Sequence, residues 1–389
     1  MPTVTPRKYF LSIGGCALLL LVLVVLSPGI GTESASYGWW DAWRAQLGME
    51  IDAAGLAGRP LVDVDNDGTI SEEELNAFSE SAKLIFAQRF PRALLALQVG
   101  VTLALCGATF QILFRNPLAT PYTLGIASGG SLGALVAIRL GWVVSLAGVS
   151  SLALSAFSGA IAVVGTVFLL ARGPYRAGGS ARAPAGASGR LTSNELLLAG
   201  VTIGLFCSAM MMLITVISDE RQTFAIVRWM MGSLDAITTA EGAMLMPLML
   251  PAWILLTAAG RALNQYRLGD ELAAARGVSV RRLQGACVIV CTLATAGAVA
   301  QCGPIGFVGL VVPHAVTLVF GQDCRILLPA SALLGGAFLI VCDWASQLSM
   351  RCAGWATGRE LGSATLPIGV VTAIVGVPIF IALLRTRRR

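Results

Sequence analysis

Asp63, Asp65 and Asp67 alternate in the stretch DVDNDGTISEEE (63–74). Carboxylates at positions 1, 3 and 5, a glycine at 6 and a glutamate at 12 form the pattern of a loop that wraps a calcium ion in oxygen ligands. Gly68 permits the sharp turn. Thr69 offers its backbone carbonyl, Ser71 a direct or water-bridged oxygen, and Glu74 a bidentate carboxylate. The following SEEELNAFSESAKLIFAQ reads as a helix with an acidic first turn, which suits the positive end of the helix dipole. The entering side is weaker, because Pro60 lies three residues before the loop, and no second such loop occurs to pair with it. The competing reading is an acidic turn that holds no ion. A bound Ca2+ here is expected to be structural or regulatory, since nothing in the pattern places the loop on a transport path.

Other chemistry is missing. No GxxxxGK[ST] loop is present, so this chain is expected to bind no nucleotide and hydrolyse no ATP. There is no CxxC spacing, no paired carboxylates within a span, and a single histidine, His314, read as structural. No enzyme is expected.

The elements that must carry the acidic loop are membrane helices. The chain has 389 residues, 56% hydrophobic and 12% charged, with a mean hydropathy of +0.77. A soluble domain carries about 25% charged residues. Apolar runs of about 20 residues recur, long enough to cross a bilayer core of about 30 Å, and in lipid each must be helical. An all-α polytopic membrane protein with about ten transmembrane helices follows, with spans near 9–28, 92–113, 124–142, 146–171, 195–217, 242–260, 284–302, 306–320, 327–349 and 366–384. The first run follows Arg7 and Lys8. It is too long for a signal-peptide core and lacks a good cleavage site, so it reads as a retained span.

Net charge is +6. Most of the 27 lysines and arginines fall in alternate segments, including 172–190, 261–282 and 385–389. Short basic loops stay in the cytoplasm, which puts both termini inside a cytoplasmic (inner) membrane. The basic residues do not gather in one folded stretch, so no nucleic-acid partner is expected. Three units result: an N-terminal transmembrane helix (1–28), an extracytoplasmic segment (29–91) containing the 63–74 loop, and the main membrane core (92–389). The core includes a basic linker, 172–190, and a polar inner loop, 261–283, whose Leu268, Leu272 and Ala275 share one helical face. Most of the nine cysteines lie in apolar runs and read as small buried residues. Cys302 and Cys352 lie near span ends, where a disulfide was the open alternative.

Five stretches carry a resemblance: RFPRALLALQVGVTLALCGATFQILFRNPLATPYTLGIASGGSLGA (89–134), VRWMMGSLD (227–235), LGDELAAARGVSVRRL (268–283), GPIGFVGLVVPHAVTLVFGQDCRILLPASALLGGAFLIVCD (303–343) and LPIGVVTAIVGVPIFIALL (366–384). In that order they resemble the FecCD-type permeases of ABC importers for iron–siderophores, haem and vitamin B12. The resemblance implies a type II importer permease fold, a second copy of the permease in a homodimer, two cytoplasmic ATPase subunits and an extracytoplasmic substrate-binding protein. It implies that Arg89 and Arg92, flanking Pro91 at the start of a span, meet acidic residues of the docking protein; anchoring to lipid headgroups is the alternative. It implies that Leu268, Gly269, Glu271, Ala275, Arg276 and Gly277 couple to the ATPase as a helix in a groove. Asn116 and Pro117 break one helix, and Gly303, Pro304 and Gly306 another. Broken helices in transporters line cavities, so these belong to the expected translocation path; a plain turn is the alternative at Asn116. The sequence departs from the family at Thr317, where arginine is frequent. The family's basic docking residue before the last span has only Arg351 or Arg359 as candidates. The calcium pattern has no precedent in the family. A calcium-responsive sensor on the permease fold, and an ion-driven transporter using Asp343 or Glu195 near span ends, are the other function classes.

Overall fold

Backbone donors and acceptors in lipid need internal partners, and the computed structural model places a helix on every apolar run. It describes residues 6–30, 39–49, 71–142, 145–146, 149–171, 193–234, 243, 245–357 and 365–386. Among these are α1 (Pro6–Leu26), α2 (Trp39–Leu47), α3 (Glu72–Leu113), α4 (Ile126–Leu140), α5 (Ser151–Ala171), α6 (Ser193–Val216) and α7 (Glu220–Met230). They continue with α8 (Met246–Ala258), α9 (Gly260–Arg267), α10 (Asp270–Ala275), α11 (Val280–Cys302), α12 (Val308–Phe320), α13 (Cys324–Thr357) and α14 (Ile368–Thr386). The only strands among the described residues are a two-stranded antiparallel ribbon, Ser145–Leu146 with Val149–Ser150.

Six helices are long and apolar enough to cross a membrane, and a seventh span results if α8 and α9, bent by 49°, are one. Three more apolar helices, over 126–140, 308–320 and 368–383, are shorter. These three coincide with expected spans whose ends are occupied by non-helical or 3-10 backbone. The fold class expected from the sequence holds.

The largest difference lies at residue 92. The helix that carries the second span does not begin there. α3 runs unbroken for 42 residues from Glu72 to Leu113, with Pro91 inside it. At 1.5 Å per residue it is about 63 Å long, roughly twice the thickness of a bilayer core. Pro91 lacks only one backbone donor, and its ring is buried among neighbours, so packing holds the helix through a position that local propensity would end. The 29–91 segment is therefore in part a continuation of the second span. Its α2 lies against that extension. Trp43 meets the edges of Phe86 and Phe90 at 4.9 and 5.6 Å and donates from its indole to the Val25 carbonyl.

α3 is the central post. Its most apolar window is 89% buried, whereas those of α1 and α6 are 17% buried. A helix apolar on all sides belongs in the interior or against lipid. α3 takes the first position, and α1 and α6 present exposed Leu18, Leu21, Leu198 and Leu205. Close packing in lipid rests on small residues. A Cβ added at Gly100 would lie 2.3 Å from the Gly335 carbonyl oxygen, so α3 and α13 touch backbone to backbone there. Among the described residues, Cys302 is buried and Cys352 exposed. His314 is buried, with its ring 5.8 Å from Phe380, as a structural histidine should be. The 172–190 linker lies outside the described residues.

Candidate functional site

Residues that could act gather at both ends of the bundle around α3 and at one level between them. At its C-terminal end, Leu113 and Arg115 hold the polar 261–283 loop. Tyr266 donates its hydroxyl to the Leu113 carbonyl at 3.0 Å and receives a hydrogen bond from Gln284. The Arg115 guanidinium lies 4.7 Å from the Tyr266 ring. It donates to the Tyr266 carbonyl at 3.0 Å and to Asp270 at 2.6 Å. α9, buried through Leu263 and Tyr266, thus anchors α10. Gly269 and Gly277 sit at φ +125° and +83° and bracket this six-residue helix. Left-handed backbone is available to glycine without steric cost, so the two positions fix where the short helix turns. Leu268, Leu272, Glu271, Ala275 and Arg276 are all exposed, and Ala273 faces inward. Of the face read from the sequence, Leu272 and Ala275 share the exposed side of α10, whereas Leu268 caps α9 and is separated from them by the non-helical Gly269.

The neighbouring turn is fastened as well. Asn264 donates to Asp323 at 2.7 Å and accepts from the Cys324 N–H. Arg267 donates to Gln322 through both its backbone and side-chain oxygens. Burial pushes the Asp323 carboxyl up, but hydrogen bonds from Asn264 and the Arg325 N–H, with the Arg325 charge, outweigh it and hold the group below its ordinary value.

Between the ends, two helix breaks meet. Asn116 and Pro117 form the turn after α3, where the Asn116 side chain accepts from the Leu118 N–H at 2.9 Å. A 3-10 turn, Pro121–Leu124, follows. The second break, 303–307, separates α11 from α12. Tyr122 closes the two together, donating to the Ile305 carbonyl at 2.7 Å and accepting from the Ile305 N–H at 3.1 Å. A cavity of about 170 Å³ lies between them, lined by Leu118, Tyr122, Ile305 and Phe307 among others. Phe307 has φ +67°, a strained conformation for a non-glycine residue and one found at functional sites. The expected path residues Asn116, Pro117, Gly303, Pro304 and Gly306 thus flank one contact instead of two separate ones. Nothing in the sequence pairs Tyr122 with Ile305.

At the other end of the bundle, Arg89 and Arg92 turn toward the chain itself. Arg89 donates to the Pro28 carbonyl at 3.1 Å. Arg92 Nε lies 2.7 Å from Asp343 Oδ1, with side chains 17% and 2% exposed. Gln347 donates to the second Asp343 oxygen at 2.8 Å. Asp343, read from the sequence as a group near a span end, is a buried partner on α13. Beyond Arg92 opens a cavity of about 490 Å³, bounded by the C-terminal half of α7, the 231–234 turn and the 365–368 segment before α14. α7 was not expected as a helix. Its signal was legible in Asp219-x-x-Gln222, which forms a reciprocal capping box. Of the two candidates for the basic docking residue before the last span, Arg351 falls within α13 and Arg359 outside the described residues.

Of the calcium pattern, Asp63, Asp65, Asp67 and Thr69 lie outside the described residues. Ser71 and Glu74 form the cap of α3. The Glu74 N–H donates to Ser71 Oγ at 3.2 Å. Glu74 Oε2 accepts from both the Ser71 N–H and the Ser71 hydroxyl at 2.9 Å. Positions 9 and 12 of the pattern are thereby adjacent. This suits a converging ligand set, but Glu74 would have to share its carboxylate between cap and ion.

The comparisons with known proteins agree with this architecture. Residues 19–386 match the FecCD transport family. The chain is 35% identical over 301 residues to the uncharacterized ABC transporter permease protein YvrB of Bacillus subtilis (strain 168), covering 77% of this chain and 78% of the relative. It is 36% identical over 309 residues to the cobalamin import system permease protein BtuC of Halobacterium salinarum, covering 79% and 75%. A solved ABC transporter described as of metal-chelate type, in an inward-facing conformation, superposes with a TM-score of 0.71 at 27% identity, over 97% of this chain and 99% of that one. A helical bundle of apolar spans around a buried α3, with helix breaks meeting at Tyr122 and a glycine-bracketed helix displayed at one end, is thus the fold of a membrane permease, and this chain belongs to the FecCD transport family of ABC importers.

Proposed function

We propose that the chain imports an iron–siderophore or related metal chelate across the cytoplasmic (inner) membrane, with both termini and the 261–283 loop inside. A second copy completes the pore, separate ATPases bind the inner face, and an extracytoplasmic binding protein delivers the cargo. The observation that carries this reading is α10. A solvated loop would have little reason to fix a six-residue helix between two left-handed glycines, anchor it through Arg115 and Tyr266, and turn Leu268, Leu272 and Ala275 outward. Such a face suits a groove on a partner. ATP-driven movement of that partner would reach α3 through Arg115, and α3 leads to both helix breaks.

Vitamin B12 is the second cargo reading, favoured by the identity to the cobalamin permease. Uptake of labelled ferric siderophore, haem and cobalamin, in cells with and without this chain, tests both. ATP-dependent uptake of a ferric chelate supports the first reading, and uptake of cobalamin alone supports the second. Loss of no uptake on deletion would sink the importer reading. Calcium at residues 63–74 is proposed as a tuning ion on the outer side. It would be held by Asp63, Asp65, Asp67, Thr69, Ser71 and Glu74, with the cap at Ser71 passing its order into α3.

A further inference from the structure

We propose that α2 is a lipid-docking helix, and that its Trp40–Leu47 face lies in the phospholipid headgroup layer at the membrane boundary where α1 ends. The inference goes beyond the importer reading and needs only that α1 and α3 cross the membrane.

Two contacts set the height of α2 and of the α3 extension beside it. The Trp43 indole donates at 2.8 Å to the carbonyl of Val25, in the last turn of α1. A 3-10 turn, Ser27–Gly29, follows α1, and Arg89 donates to the Pro28 carbonyl in it at 3.1 Å. α1 is apolar along its length and presents Leu18, Leu21 and Val22 outward. Val25 and Pro28 therefore mark where this span leaves the hydrocarbon, and α2 is held at the level of the headgroups.

The side of α2 that meets the end of α1 is also the side left bare. Trp40, Trp43 and Leu47 stand at i, i+3 and i+7, which is one stripe of a helix. Trp43, in the middle, is spent on Val25 and on the rings of Phe86 and Phe90. Its two neighbours in the stripe reach past the protein, Trp40 at 41% and Leu47 at 63% exposure. The opposite side is closed by Ala42 and Ala45, both buried. A stripe that touches the end of a span at its centre and is open on both flanks faces the layer beside that span. Large apolar side chains grouped on a surface mark a contact with protein or membrane, and here the membrane is the continuous neighbour.

The residue types agree. Three of the nine residues of α2 are tryptophan. An apolar body with one polar N–H suits the headgroup layer, where tryptophan is enriched. The Arg44 guanidinium lies 5.9 Å from the centre of the Trp40 ring, one turn along the same side. A cation carried on an aromatic face, with its aliphatic stem over apolar surface, suits the lipid phosphates. Because Trp43 also packs on Phe86 and Phe90 of α3, lipid contact at α2 would steady the base of the α3 extension.

The test is spin-label accessibility in full-length protein reconstituted into phosphatidylcholine nanodiscs. Single cysteines are placed in a Cys352→Ser background, which removes the exposed thiol. The positions are Leu18→Cys on the outward side of α1, Leu47→Cys on α2, and Ala77→Cys on α3. Ala77 is exposed and precedes Phe86 by nine residues, so it stands about 14 Å farther along the helix. The ratio of oxygen to nickel-chelate collisions should be highest at Leu18→Cys, intermediate at Leu47→Cys and lowest at Ala77→Cys. In parallel, lipids brominated near the headgroup should quench tryptophan emission, and Trp40→Phe should lose part of that quenching. A label at residue 47 as open to the nickel chelate as the one at residue 77 puts the face in water and overturns the proposal. A label there closed to both oxygen and nickel means that protein covers the face, a second copy included, and overturns it equally. If Leu47→Cys fails to fold, Trp40→Phe decides alone: lipid quenching equal to wild type overturns the proposal.

Discussion

α3 carries two arginine–aspartate pairs of opposite physical character. One arginine sits at the middle of the helix and one just past its C-terminal end, and each pairs with an aspartate far away in sequence: Arg92 with Asp343 and Arg115 with Asp270. The first pair is buried, at 17% and 2% side-chain exposure. The second is open, at 48% and 32%. Water screens the second pair and its geometry is supplemented by the Tyr266 ring. The first pair depends on itself, on Gln347 and on its packing. The first pair thus keeps a fixed charge arrangement inside the fold, and the second holds the exposed α10 in place. The contrast is sharpened by breaking each pair in turn.

The largest effect is expected at the buried pair. Asp343→Ala leaves the Arg92 guanidinium without its carboxylate, and removing one partner of a buried ion pair costs about 3 to 5 kcal/mol. Thermal unfolding in detergent should show this as a large fall in Tm. The double variant Arg92→Leu/Asp343→Leu removes both charges and should recover most of the loss. If Asp343→Ala unfolds like wild type, the two pairs are not different in kind.

The next effect belongs to Gly277. Its φ of +83° is open to glycine, and no atom lies within 4 Å of an added Cβ, so Gly277→Val acts through backbone strain alone, about 1 to 2 kcal/mol. The protein should insert and fold, while the loop after α10 shifts. In vesicles with its ATPase, hydrolysis should continue and uptake should fall. Unchanged uptake would remove the loop from coupling.

Those two sites show what could be read from sequence alone. Gly269 and Gly277 bracket a local pattern, and local patterns are legible: the short helix and the apolar runs appear where spacing put them, although Gly269 splits Leu268 from the face of Leu272 and Ala275. Arg92–Asp343 and Tyr122–Ile305 are contacts across 251 and 183 positions, which a single sequence does not encode in any spacing. The helix read after the acidic loop does start at Glu72; Pro91, a residue that locally favours a first helical turn, obscured its continuity with the second span. The Ser71-x-x-Glu74 capping box twenty residues earlier was the better signal. α7, with 11 residues, is too short to stand out as an apolar span, though it too carries a capping box.

A smaller effect is expected at the exposed end. Asp270→Asn should cost no more than about 1 kcal/mol, as exposed pairs do. At the adjoining turn, Asp323 is held below its ordinary carboxyl value of 3.8. A carboxyl whose folded value is depressed contributes stability that is fully present above its unfolded value and is lost as pH falls through the folded one. Asp323→Asn should therefore narrow the gap from wild type as the pH drops below 3.8, and unfolding followed from pH 6 to pH 3 measures it. A gap that widens on acidification would have the wrong sign.

The smallest effect separates the helix cap from the ion at the start of α3. A lone loop of this type on the outer side should have a dissociation constant on the order of 10⁻⁴ to 10⁻³ M. Calcium at a concentration equal to that constant stabilises the folded state by only about 0.4 kcal/mol. Loss of the cap alone costs about 1 kcal/mol, enough to mask it, so the variant must spare the cap. Glu74→Gln does so. Glutamine serves the third position of a capping box as glutamate does, accepting from the Ser71 N–H, but it brings no negative charge to a calcium ion. Glu74→Ala removes both functions, and Asp63→Ala removes a proposed ligand far from the cap. In full-length protein, calcium should raise the wild-type Tm slightly, and this rise should vanish in Glu74→Gln and Asp63→Ala. Without calcium, only Glu74→Ala should start lower. If Glu74→Gln keeps the calcium response, Glu74 serves the cap and the ion lies elsewhere. If wild type gives no calcium-dependent shift or heat at millimolar ion, the acidic stretch is a turn, and the N-terminal end of α3 is ordered by its cap and by the Trp43–Phe86–Phe90 cluster.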